Sequence, residues 1–451
     1  MRRRAGTLGV CYYPEQWPED RWATDAREMA AFGVSFVRIA EFAWSRLEPS
    51  PGAWNWDWLD RAVATLGEAG LGIVLGTPTA TPPKWLVDAH PDILPHDVEG
   101  RVRGFGGRRH YCYGSATYRA QSRRIVTAMA ERYGANPHVA GWQTDNEHAN
   151  HFTAQSWAPH QRANFQAWLR ARHGTVEALN RAWGTVFWSQ EYRDFDEIEL
   201  PGRQVGRANM AQVLDWRRFC SDLVVSFDAE QVEILRRHSP GRFVTHNAIG
   251  DTWDFDHFAL GRNLDFMSVN NYPVLAIRRR VKVSEAEQVA LARTGHPDSG
   301  ALQYDLSRAQ GPMPGPAPFW IMEGMAGPAD AGDYNPHPAP GMVRLWAWEA
   351  FAHGAETVSW FRWRQVPYAQ EQWWHALHRP DGVLSAGGRE ARRVAGELAA
   401  IGPLPPPSRA RAAILLDYEA EWTIGVQPHG ADFSYAVLAR RFYTALRRLG
   451  L

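Results

Sequence analysis

Val139-Ala140-Gly141-Trp142-Gln143-Thr144-Asp145-Asn146-Glu147-His148 is a short β-type run that breaks off into a cluster of polar side chains ending on a carboxylic acid. Seven more such runs lie at 8–12, 35–40, 72–76, 243–246, 266–270, 319–322 and 357–361. Helical stretches separate them, the alternation that builds a parallel sheet with crossover helices. The first crossover is typical: Pro18-Glu19-Asp20 opens a helix whose apolar positions Trp22, Ala26, Met29 and Ala30 follow a 3.6-residue period. Eight βα units predict a closed (β/α)8 TIM barrel, whose site lies at the C-terminal strand ends. The rival, an open doubly wound sheet, lacks its Gly-rich phosphate loop after the first strand.

The chain has 451 residues, enough for one such barrel and something more. The barrel is expected over 1–400, with insertions at 77–113 (a Pro-, Gly- and His-rich loop above the mouth) and 175–208 (an aromatic second lobe). A Pro-rich lead over 312–318 introduces the seventh strand, and a Pro-rich linker over 401–408 closes the domain. Beyond it, a strand over 412–416 and a helix over 433–449 are expected. They would form the first βα unit of an incomplete second domain over 409–451.

Formal net charge is zero, which gives nucleic acid and acidic membrane faces nothing to hold. No run is long and apolar enough to span a membrane, and Met1-Arg2-Arg3-Arg4 leads into no apolar signal segment. Three widely spaced cysteines, Cys11, Cys112 and Cys220, fit reduced thiols in a cytoplasmic protein. The 22 tryptophans offer flat faces for sugar C–H surfaces and N–H groups for hydroxyls. The composition leans towards neutral carbohydrate.

Two strand ends carry a Glu in suggestive company: Glu147 after the fourth run, and Glu323 in Trp320-Ile321-Met322-Glu323-Gly324 after the seventh. Strands four and seven of an eightfold barrel face each other across the mouth. Their carboxyls can therefore meet at one bond, one protonating the leaving oxygen while the other attacks the anomeric carbon. Arg38, closing strand two, would keep Glu323 ionised. Asn146 is placed to donate to the sugar 2-hydroxyl, and Tyr272 to hydrogen-bond the nucleophile. A strand-end Glu alone is more often a salt bridge or a helix cap; the pairing on opposed strands argues for chemistry.

Gly9-Val10-Cys11-Tyr12-Tyr13-Pro14-Glu15-Gln16-Trp17 and Arg38-Ile39-Ala40-Glu41-Phe42-Ala43-Trp44-Ser45-Arg46-Leu47-Glu48-Pro49 resemble glycoside hydrolase family 42, the β-galactosidases. So do Thr144-Asp145-Asn146-Glu147, Pro340-Gly341-Met342-Val343-Arg344-Leu345-Trp346 and Trp360-Phe361-Arg362-Trp363-Arg364-Gln365. The resemblance runs from about residue 6 to the end. It implies a retaining exo-enzyme that removes terminal β-D-galactosyl units, with Glu147 as acid/base and Glu323 as nucleophile. It places galactose contacts on Arg38, Asn146, Phe361 and Glu371, and a pocket-walling aromatic on Trp188. It further implies a homotrimer with a flavodoxin-like second domain, here only begun, and a third small β domain, here missing. An assembly defect of this chain alone is the matching expectation.

Departures from the family pattern carry expectations too. Of four cysteines that hold zinc in several members, only Cys112 has a counterpart; Ser156, Ala158 and Gln161 stand at the others. No metal and no cofactor are expected, and His148, His151 and His160 are read as surface or loop histidines. Ala331 stands where the family places a pocket Trp, and Trp374 where a contact His is usual, so His375 would serve after a one-residue shift. These changes open one alternative to galactoside hydrolysis, the same chemistry on an α-L-arabinopyranoside or β-fucoside; the incomplete second domain opens another, an inactive truncated sugar-binding barrel.

Overall fold

The structure is a computed structural model that describes residues 6–250, 252–279, 281, 283–312, 317–330, 334–407, 410–431 and 433–451. Ala331, part of the 312–318 lead and the end of the 401–408 linker fall outside the described residues. Nine parallel strand segments make one sheet: β1 (Thr7–Cys11), β2 (Val34–Ile39), β3 (Gly72–Gly76), β4 (Val139–Gln143), β5 (Phe243–Thr245), β6 (Asn247–Ile249), β7 (Ser268–Asn271), β8 (Phe319–Met325) and β9 (Ala355–Phe361). Their order is β5-β4-β3-β2-β1-β9-β8-β7-β6. The two ends of that order, β5 and β6, are halves of one run interrupted at His246. The fifth stave thus pairs with β4 through one half and with β7 through the other, and the ring closes. This is the TIM barrel expected from the eight runs.

Alternation along the strands sorts the side chains. Phe36, Val74, Phe266, Trp320 and Met322 form a buried cluster of their own, the plug that makes such a barrel a packed core with its site above. Val37 and Ile39, their neighbours in sequence or strand, belong instead to the large shell packed under the helices. Gly76 ends β3 where a Cβ would lie 2.3 Å from that of Glu41. Only glycine lets the two staves approach so closely at the mouth.

The first crossover helix spans Glu19–Phe32 and stops at Gly33, whose φ of 95° closes it in the left-handed conformation. It buries Trp22, Ala26 and Met29 as expected, but Ala30 is exposed and Phe32 takes its place in the core. The 175–208 insertion contributes to a second small core in which Leu179, Trp183, Phe195 and Ile198 pack on Phe165, Trp216 and Phe219.

The C-terminal segment departs from expectation. No strand forms over 412–416, where Leu415 is 93% exposed. A strand needs a neighbour's backbone groups, and none of the described segments offers an edge there. Helices Tyr418–Val426 and Tyr435–Arg448 form instead; the second was expected and the first was not. The first docks through Tyr418 and Trp422, and the second buries Ala439. Polar contacts add Arg218 to Glu419 (2.8 Å) and Arg447 to Asp298 (3.0 Å).

Candidate active site

Glu323 is turned into the mouth by a fault in the sheet. Trp320 and Met322 point into the barrel, so strict alternation would send the next residue outward. Both ladders of β8 change register here, between Val269 and Asn270 on one side and between Ile321 and Gly324 on the other. Such a shift re-aims one side chain. Glu323 Oε1 then sits 2.7 Å from Arg38 and accepts the Asn247 amide at 3.1 Å. Tyr272 donates its hydroxyl to Oε2 at 2.6 Å. Arg38 is itself held by Glu41 at 2.7 Å and by Gln143 at 3.0 Å.

Glu147 follows β4 with a positive φ of 50°. Its Oε1 accepts from Asn270 at 2.8 Å and its Oε2 from Asn150 at 3.0 Å. Arg109 and Arg108 stand 3.4 and 3.8 Å from Oε2. The two carboxyls are joined through asparagines. Asn247 donates to Glu323 and, at 2.8 Å, to Asn146 Oδ1, while its own carbonyl takes the Glu147 amide at 3.1 Å. Asn146 keeps a buried Nδ2 without a partner among the described residues, a donor left for a ligand.

The pair shares one electrostatic environment. Burial pushes the Glu147 carboxyl up, but Arg109, Arg108 and the amide donors outweigh it and hold it at about 2. Glu323 is raised: burial and the charge of Glu147 push it up against the pull of Arg38 and Tyr272. Because the charge of Glu147 bears on Glu323, the two titrate as a pair.

Phe361 packs edge-on against Tyr13 and Trp374, at 6.1 and 5.5 Å between centroids. Glu371 lies 4.0 Å from Arg108 and 3.9 Å from Arg362. Trp374 and His375 face different neighbours. A turn closed by the Trp374 amide on the Glu371 carbonyl sets Trp374 against Tyr272 at 5.1 Å. His375 packs instead on His337, at 5.1 Å. Trp188 is 77% exposed on the second lobe, and its ring contact is with Phe187.

Sequence reasoning missed Arg108, Arg109, Asn247 and Asn270. The arginines sit in an aperiodic loop. The asparagines carried a signal, as amides at strand ends beside the two Glu.

His148, His151 and His160 do not converge. His148 is buried against Asp228, His151 faces Arg109, and His160 meets Cys112. His148, Asp228 and His246 do offer ligand atoms within 4.8 Å of one another. Yet both His246 nitrogens are occupied by backbone groups and Asp228 accepts the Thr144 hydroxyl. The set reads as a hydrogen-bond network.

A closed parallel barrel with two buried carboxyls at opposed strand ends, bridged by amides and flanked by arginines, is a glycoside hydrolase architecture. The family model described as beta-galactosidase matches residues 11–401. A β-galactosidase of Thermus thermophilus is 56% identical over 98% of this chain and 68% of its own length. BgaH of Haloferax lucentense is 42% identical over 99% of this chain and 66% of its own. The crystal structure of a β-galactosidase from the psychrophilic Marinomonas ef1 superposes with a TM-score of 0.95 at 49% identity, covering 98% of this chain and 68% of that one. The chain belongs to glycoside hydrolase family 42, and it spans about two thirds of the length of these relatives.

Proposed function

We propose that the chain is a retaining exo-β-galactosidase working by double displacement, with Glu147 as acid/base and Glu323 as nucleophile. The carrying observation is the buried pair of carboxyls on opposed staves, one of them gripped by Arg38 and Tyr272. A Glu323 oxygen attacks the anomeric carbon while Glu147 gives its proton to the departing oxygen. Water then gives a proton back to Glu147 and its oxygen displaces Glu323, so the β configuration is kept. Before sugar binds, the shared proton favours Glu323; the reaction needs it on Glu147. A glycosidic oxygen set against Glu147 stabilises a protonated carboxyl there, and positive charge growing on the anomeric carbon stabilises an ionised Glu323.

Asn146 Nδ2 serves the 2-hydroxyl, Glu371 binds a further hydroxyl, and Phe361 with Trp374 walls the sugar. The exposed run Val186-Phe187-Trp188 supports Trp188 walling a neighbouring subunit's pocket in a trimer. Its three buried free cysteines support a place in the cytoplasm. Among the described residues no helix is long and apolar enough to cross a membrane. The indole of Trp374 against Tyr272 and Phe361 favours one second reading, a sugar with less polar bulk at C5, such as an α-L-arabinopyranoside or β-fucoside.

Azide rescue tests the roles. Glu323→Gly is expected to be nearly inert and to yield an α-galactosyl azide, whereas Glu147→Gly yields the β-azide. Swapped products would reverse the assignment. A panel of nitrophenyl glycosides ranks the substrates, and a preferred arabinoside or fucoside would select the second reading.

A further inference from the structure

The loop that carries Glu147 is bent against its own preferences. Between 145 and 152, five non-glycine residues have positive φ: Asp145 (45°), Glu147 (50°), Ala149 (65°), His151 (61°) and Phe152 (59°). L-residues adopt that region at a cost, so the surroundings must over-determine it. They do so through the amides. Asp145 N–H donates to Thr77 Oγ1 at 2.6 Å, Asn146 to Asp145 Oδ1 at 2.7 Å and Glu147 to Asn247 Oδ1 at 3.1 Å. His148 N–H donates to His246 Nε2 at 3.1 Å and Ala149 to the Tyr113 hydroxyl at 2.8 Å. Five successive backbone donors are thus taken by side chains, where a regular loop would turn them to water or backbone.

His246 is the member of this set with a chemical condition attached. Its Nδ1 faces the Thr144 carbonyl at 2.8 Å, which can only accept. Nδ1 therefore carries the proton, and Nε2 has the lone pair that takes the His148 amide. One neutral tautomer satisfies both. The ring is fully buried and stacked on His148 at 4.1 Å with 11° between planes. It occupies the break between β5 and β6, so it grips the start of the loop at Thr144 and its middle at His148 from the adjacent stave.

We propose that His246 is a positioning residue for Glu147: as the neutral Nδ1–H tautomer it clamps Thr144 and His148 on either side of the acid/base and fixes where its carboxyl points. This rests on the reading of Glu147 as acid/base. The charged and titratable groups about the ring are His148, Asp228, His257 and Arg109. Burial first, then His148, pushes the imidazole well below its ordinary range, which keeps Nε2 unprotonated through neutral pH.

A misplaced acid/base hurts most where the leaving group needs a proton. The test measures kcat/KM on a nitrophenyl β-galactoside, whose phenolate leaves unaided, and on lactose, whose sugar alkoxide does not. His246→Phe keeps ring volume and stacking but has no acceptor. It is expected to lose ~10²-fold on lactose and no more than about 5-fold on the nitrophenyl substrate. His246→Gln places an amide oxygen near the Nε2 position and is expected to recover most of the lactose activity. Should the Phe variant fail to fold, His246→Asn, which can still donate to Thr144 but is too short for the His148 amide, takes its place with the same expectation. Equal losses on both substrates, no loss on either, or no recovery with Gln would overturn the proposal. Glu147→Gln on the same pair separates the premises. If it is leaving-group selective while His246→Phe is not, the positioning role alone fails; if Glu147→Gln is itself unselective, the acid/base reading fails with it.

Discussion

The loop after β4 and the run over 412–416 are both non-helical, yet they lie at opposite extremes. The first holds five positive-φ residues and is buried from Thr144 to Ala149, with the amides of 145–149 matched to Thr77, Asp145, Asn247, His246 and Tyr113. The second has the apolar sequence of a strand but no ladder, and exposes Leu415. An unfavourable backbone is locked where neighbours saturate it, and a favourable one goes unused where none is at hand. Local preference decides little at either place; the supply of hydrogen-bond partners decides both.

The contrast can be broken most directly by hydrogen exchange. Amides of 145–149 should exchange at least ~10³-fold more slowly than those of 412–416, since buried, bonded donors open only with larger units. Comparable rates would show that the loop is not held as its bonds suggest.

Removing one acceptor sharpens it. Asn247→Ala deletes the partner of the Glu147 amide and the donor to Glu323 and Asn146. A ~10²–10³-fold fall in kcat/KM is expected, with about 1–3 kcal/mol of stability lost to the orphaned groups. Wild-type turnover would remove Asn247 from the bridge.

Acid strikes both regions through histidine. His246 under the loop and His257, which meets the Tyr418 hydroxyl at 2.7 Å, are buried and held below the ordinary value of 6.5; burial, then His148, brings His257 to about 3. Between pH 6.5 and those lowered values, the unfolded chain binds protons that the folded one refuses. Their stability contribution is therefore complete above 6.5 and falls on acidification, by up to about 1.4 kcal/mol per pH unit for each group. Denaturant melts at pH 7, 6 and 5 would measure it; a rise in stability on acidification would contradict the sign.

Smaller still is Tyr418→Phe, which removes the hydroxyl shared by His257 and Gln310. About 1 kcal/mol should be lost, with activity intact because the segment supplies none of the site residues. The smallest effect is none: EDTA should leave activity and melting unchanged, and stoichiometric zinc by elemental analysis would refute that.

By itself the sequence determined the barrel, because strand and helix periods and the burial they imply are local properties repeated eight times. It also determined which strand ends carry Glu147, Glu323, Arg38 and Tyr272, since position along a strand is countable. Tertiary structure decided the rest. A register shift shared with neighbouring staves turned Glu323 inward, against its own alternation. The bridge through Asn247 and Asn270, the arginines over Glu147 and the packing of Trp374 on Tyr272 and Phe361 arise from chain segments far apart in sequence. The absence of a strand at 412–416 has the same origin: a β-strand is a relation between two backbones, and one sequence holds only half of it.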